Sequence, residues 1–251
     1  MTRHEALALP ALVREMPVAI VCNGATLGVM MASPDALEDF ATGFARTEGL
    51  LRAPSDLREV EIVEHDLGIE ARVWLSPAAG ARIHARQRAM IGPVGCGLCG
   101  IDSLAKVARD LPPVPPGPRF DLNDLLALPD LLRAHQPEHD RTRGCHAAGF
   151  WRPGEGLVLS REDVGRHNAL DKLAGALWRQ RLDPTDGIVV LTSRVSTEMV
   201  QKAVAMGTGG LVAVSAATDY AVRIARDRGL ILVARTRGGA GEVLSGAERL
   251  D

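Results

Sequence analysis

Gly187-Ile188-Val189-Val190-Leu191-Thr192, Gly210-Leu211-Val212-Ala213-Val214-Ser215 and Gly229-Leu230-Ile231-Leu232-Val233-Ala234 decide the fold class. Each is a short apolar run without polar alternation, as expected of a strand buried on both faces. Helical stretches at about Thr197–Met206 and Thr218–Arg228 separate them. Strand, helix, strand, helix, strand in that order predicts parallel pairing in an α/β layer structure. A further helix is expected from about Arg166 to Arg181, with Leu170, Leu173, Ala174 and Leu177 on one face. Ligands of such sheets sit at the carboxyl ends of the strands, which here means Thr192 to Ser196 and Arg235 to Gly241.

Upstream, Leu111 to Pro118 carries five prolines around Gly117, a composition that excludes helix and central strand and suggests a boundary. Before it, Val18 to Val21 and Thr26 to Met31 flank Asn23-Gly24, the signature of a hairpin with a type I′ turn. Ser33 is expected to cap, and Pro34 to open, a helix that runs to about Gly49. Val60 to Val63 and Ala71 to Leu75 read as two further strands. The expected organisation is a smaller N-terminal α+β unit over residues 1–111 and a larger three-layer α/β domain over residues 119–251.

Composition narrows the function. Among 251 residues, 29 basic and 31 acidic side chains give a formal charge of −2, so the chain offers no general attraction for nucleic-acid backbones. With 3 Trp, 4 Phe and 1 Tyr, a base-stacking platform is hard to build. No apolar run approaches the roughly 20 residues that span a bilayer, and a cytoplasmic location is expected. Four cysteines are too few for a disulfide scaffold, so their spacing carries the information.

Cys96 and Cys99 form a C-x-x-C within Gly95-Cys96-Gly97-Leu98-Cys99-Gly100, just ahead of an expected helix start that favours thiolate. Four readings stay open: a zinc site completed by Cys22, Cys145 or His146, a thioredoxin-like redox pair, two inert buried thiols, or sulfur transfer. In Cys145-His146-Ala147-Ala148, Ala148 stands where the zinc nucleobase deaminases place the glutamate of H-x-E, and no C-x-x-C follows. No metal site is therefore expected, and His146 is either a site residue or a hydrogen-bonded loop histidine. Glu162 and Asp171 are as readily solvated as functional, whereas Arg161, Asp163, Arg166 and His167 gather at a helix start. Ser193, Arg194 and Ser196 end an apolar strand, a setting that suits phosphate. Arg235-Thr236-Arg237-Gly238-Gly239-Ala240 follows the last expected strand and combines arginines with glycines that admit a pyrophosphate closely.

These motifs, with Glu162 through Lys172, Ser193-Arg194 and Glu198 through Ala203, and with Gly43-Phe44 and Thr47 through Leu50, resemble the formate dehydrogenase accessory sulfurtransferase family (FdhD-type) over nearly the whole chain. The resemblance implies a sulfur carrier that takes persulfide sulfur from a cysteine desulfurase onto Cys96, with Cys99 assisting. The sulfur goes to the bis(molybdopterin guanine dinucleotide) molybdenum cofactor, which the formate dehydrogenase catalytic subunit needs. It places a cofactor-binding segment on Arg235 to Ala240, makes GDP a partial mimic of that substrate, gives the larger domain a cytidine-deaminase-like fold, and leaves a homodimer open. Ser193, Arg194, Ser196 and His146 are the further expected cofactor contacts. The alternative is a non-catalytic molybdenum-cofactor chaperone.

Overall fold

The computed structural model describes residues 11–90 and 111–251. Cys96 and Cys99 lie outside the described residues.

The first sheet contains β1 (Met16–Cys22), β2 (Ala25–Ala32), β3 (Leu57–His65) and β4 (Gly68–Leu75), in the order β2-β1-β4-β3. β1 and β2 form the expected hairpin; Asn23 at φ 46° and Gly24 at φ 82° occupy the left-handed positions of its turn. Helix α1 (Leu37–Thr47) lays Phe40, Ala41, Phe44 and Ala45 on Val18, Ile20, Ala71 and Val73 of the sheet. Helix α2 (Pro77–Met90) adds Ala79 and Ile83 to the same core.

The second sheet has the order β10-β9-β8-β7-β5-β6. Its strands are β5 (His146–Arg152), β6 (Gly156–Asp163), β7 (Ile188–Leu191), β8 (Gly210–Ala213), β9 (Ile231–Arg237) and β10 (Ala240–Ser245). β7, β8 and β9 are parallel, as the apolar runs predicted, while β5, β6 and β10 pair antiparallel. Helix α3 (Leu122–Arg133) packs Leu125, Leu128 and Leu132 on one face, against Ile188, Val190, Val212 and Val233. The short α4 (Pro137–Thr142) leads into β5. α5 (Arg166–Arg179), α6 (Thr197–Met206) and α7 (Asp219–Arg228) cover the other face, against Val189, Leu191, Leu211, Ala213 and Leu232. The central strands are thus buried on both sides, which is why they carry no polar alternation. The fold is α/β.

Two local expectations are corrected. Ser33 does not cap a helix: α1 begins at Leu37 after Ala36 in a left-handed conformation (φ 47°). The Ser33 N–H donates to Asp163 Oδ2 at 3.0 Å, and its Oγ accepts from the Val164 N–H at 3.0 Å. These long-range partners outcompete a local cap. The proline-rich stretch forms neither helix nor strand over residues 111–119, as its composition implied, and it packs down: Leu111 and Val114 are buried in the core of the second sheet and the Val114 N–H donates to the Arg228 carbonyl. Arg235 to Arg237 do not follow the last strand but end β9 itself, and the chain then turns at Gly238 and Gly239 into a further strand, β10.

Helices α1 and α5 join the two halves at unusually short range. A Cβ on Gly43 would stand 1.7 Å from the Asp171 carbonyl oxygen, and one on Gly175 would stand 1.8 Å from that of Asp39. Backbone cannot yield there as a flexible side chain would. Gly43→Ala is expected to lower stability by about 3 kcal/mol, read by urea unfolding, as the helices are forced apart. A change within about 0.5 kcal/mol contradicts this packing.

Candidate functional site

Around the α1–α5 contact, Glu162 and Asp171, for which a solvated face was one of two readings, are buried. Glu162 accepts the N–H groups of Glu138 and His139, both at 2.8 Å, and so closes the start of α4. Asp171 accepts from the Thr47 hydroxyl at 2.7 Å and pairs with Lys202 at 2.8 Å. Arg161 and Arg179 converge on Asp39 at 2.8 and 2.7 Å. Asp163 and Lys172, both fully buried, meet at 2.8 Å. Lys172 also donates to the Ser33 carbonyl, while Asp163 accepts from the Gly165 N–H and from Asn168 Nδ2. Of the group expected at the helix start, Arg161 and Asp163 are therefore taken up in joining the halves. Arg166 and His167 remain.

These two open α5 beside the start of α6, at the carboxyl end of β7. Thr192 Oγ1 accepts the Ala147 N–H at 2.9 Å and lies 3.5 Å from His146 Nδ1. Ser196 is the N-cap of α6, yet its Oγ makes no cap bond and has no partner. Arg166 Nε is likewise buried without a partner. His167 Nε2 stands 2.9 Å from Glu198 Oε2 and ties the first turns of the two helices together. Paired helix N-termini with an unpartnered guanidinium nitrogen and hydroxyl suit an anion. Ser193 is buried and donates to the Arg194 carbonyl, whereas the Arg194 side chain is exposed.

Burial, reinforced by the positive charge of Arg166, pushes His146 below its ordinary value. The fold thus favours the neutral ring, so this histidine withdraws stability as pH falls below about 6.5, where the unfolded chain protonates first. An NMR titration is expected to place its midpoint below that value; a higher midpoint contradicts the buried setting. Ala148, two residues along β5, is fully buried in apolar packing, so the position of the deaminase glutamate is core here.

The second group of expected contacts lies at the same end of the sheet. β8 alone separates β7 from β9, so the strands that carry the two groups lie roughly 10 Å apart. Arg237, Gly238, Gly239 and Ala240 form an exposed hairpin tip, with Gly238 and Gly239 at φ 58° and 75°. Arg235 is exposed and pairs with Glu242 at 2.9 Å. Thr236 departs from expectation, since its side chain is fully buried and donates to the Ala213 carbonyl at 2.8 Å. It ties the end of β9 to β8.

Among the described residues, no group of three His, Cys, Asp or Glu side chains is placed to hold a metal. Cys22 lies in the core of the first sheet, where burial pushes its thiol up to about 12. Burial also raises Cys145, which precedes β5 of the second sheet. Neither is a ready nucleophile.

Residues 13–251 match the FdhD/NarQ family. The chain belongs to that family. Its FdhD relatives include proteins named sulfur carrier protein FdhD from Bordetella petrii, 47% identical over 94% of this chain and 85% of that protein, and from Agrobacterium fabrum, 44% identical over 96% and 89%. The fold is similar to a crystal structure described as a formate dehydrogenase accessory protein from Desulfotalea psychrophila. The TM-score is 0.74 at 23% identity, covering 96% of this chain and 90% of that one. That likeness establishes the fold of an FdhD chain; kinship with cytidine deaminase rests on the sequence resemblance alone. No helix among the described residues is long and apolar enough to cross a membrane. Arg166, His167 and Glu198 were not among the expected contacts. The signal for them was a cation pair at a helix start, which is unfavourable unless an anion is nearby.

Proposed function

We propose that this chain carries sulfur to the molybdenum cofactor of formate dehydrogenase. The family match across residues 13–251, to relatives named as sulfur carriers, bears most of the weight. In this reading the Cys96 thiolate attacks the terminal sulfur of a desulfurase persulfide. The donor's S–S bond breaks, a new one forms at Cys96, and the desulfurase leaves as thiolate. Cys99 assists. The substrate is the bis(molybdopterin guanine dinucleotide) cofactor, whose guanine nucleotide ends are anionic.

The residues at the sheet end fit such a substrate. Arg166 Nε and Ser196 Oγ are unpartnered beside two helix N-termini, and the Gly238-Gly239 backbone is open at the neighbouring station. Arginine and main-chain N–H groups would hold the phosphates, with Ser193, Arg194 and His146 lining the approach. Incubation with a cysteine desulfurase and cysteine is expected to add one sulfur atom to the intact mass, removable by reductant. In parallel, calorimetry is expected to show GDP binding that weakens with salt and falls about tenfold in Arg166→Gln. GDP binding without sulfur uptake would favour the chaperone alternative; neither signal from folded protein would overturn the proposal.

A further inference from the structure

The opposite end of the second sheet carries a separate cavity. Helix α5 ends at Arg179 and α6 at Met206, both beside the amino ends of the parallel strands and away from Ser196 and Gly238. There, between the last turns of α1 and α5, is a cavity of about 400 Å³, within the size range of small-molecule sites. Its apolar walls come from Leu177, Trp178, Leu182, Pro184 and Met206.

Two cations join these walls. The Arg46 guanidinium lies 5.2 Å from the centroid of the Trp178 ring and donates to the carbonyls of Leu51 and Met206 at 3.2 and 3.4 Å. Burial lowers it from its ordinary value. Arg181 stands exposed at the mouth, held at φ 57° in the turn after α5. The nearby arginines of the interface have carboxylate partners: Arg179 has Glu38 and Asp39, and Arg161 has Asp39. Among the described residues, neither Arg46 nor Arg181 has a carboxylate within ion-pair distance. Asp183, the acid of the lining, is exposed and accepts the Thr185 N–H at 3.0 Å. A half-buried guanidinium bound only to neutral groups retains most of its capacity to attract an anion, and an apolar wall strengthens that attraction.

From this juxtaposition we infer a second ligand site, for a small organic acid whose apolar body rests on Trp178 and Leu182 and whose carboxylate faces Arg46 and Arg181. It is independent of the sulfur-carrier reading and lies at the other end of the sheet from that chemistry.

The test uses the full chain and 2-naphthoate as probe, with the neutral 2-naphthamide as its control. Calorimetry is expected to show saturable binding of the acid, with a shift of the Trp178 indole N–H in NMR spectra. The amide should bind at least tenfold more weakly. Arg181→Gln, at an exposed position, should weaken the acid several-fold, and Leu182→Trp should fill the mouth and abolish binding. Equal affinity for acid and amide overturns the inference, as does an absence of saturable binding. Unchanged acid binding in both variants, each shown to be folded, overturns it as well.

Discussion

Formate dehydrogenase activity is expected to fall to background when the chain carries Cys96→Ala and no other FdhD protein is present. Cys99→Ala lowers it less. On the proposed function the first substitution removes the sulfur-bearing thiol and the second an assisting one, and only a thiolate is nucleophilic enough to take the donor's sulfur. The other thiols offer no substitute. Burial raises both Cys22 and Cys145, and Cys22 sits in a packed core with no route to a donor protein. The check is enzyme activity in a complemented deletion strain, with circular dichroism of the purified variants. Equal and complete loss in both, with native spectra, would point to an obligatory dithiol or to a metal.

The largest expected effect on stability is at Lys172. Its ammonium and the Asp163 carboxylate are both fully buried at 2.8 Å, so Lys172→Met strands a charge in the interior. Breaking such a pair from one side costs about 3–5 kcal/mol, a large fraction of the roughly 5–15 kcal/mol that a domain has. Adding Asp163→Asn removes the stranded charge while keeping a carbonyl oxygen for the Gly165 N–H, and should recover about half of the loss. Urea unfolding of the two variants measures both. A single-variant loss under about 1 kcal/mol contradicts the assignment of this pair as a buried joint between the halves.

Elements governed by local pattern were legible in the sequence. The Asn23-Gly24 hairpin follows from turn chemistry, and the parallel strands β7 to β9 follow from apolar runs that both helical layers cover. What was illegible depends on partners distant in the chain. Ser33 reads as a cap until Asp163 and Val164 claim its N–H and its hydroxyl. Glu162 and Asp171 read as readily solvated as functional until the α4 amides and Lys202 are seen beside them. The strand β10 was missed because Ala240-Gly241-Glu242 gives neither alternation nor an apolar run, being exposed on an edge. At the site, the strand-end positions of Ser193, Ser196 and the glycine segment were readable from order alone. The burial of Thr236 and the unpartnered atoms of Arg166 and Ser196 required geometry.

The central claim is that Cys96 takes up sulfur and then gives it away. Protein loaded by a desulfurase and cysteine, freed of both, is digested without reductant before and after exposure to bis(molybdopterin guanine dinucleotide) molybdenum cofactor. Peptide mass spectrometry is expected to find one extra sulfur on Cys96 before exposure and its loss afterwards, with the treated cofactor then restoring activity to apo formate dehydrogenase. Sulfur found on another cysteine, or sulfur on Cys96 that persists while the cofactor restores the same activity, would contradict the account.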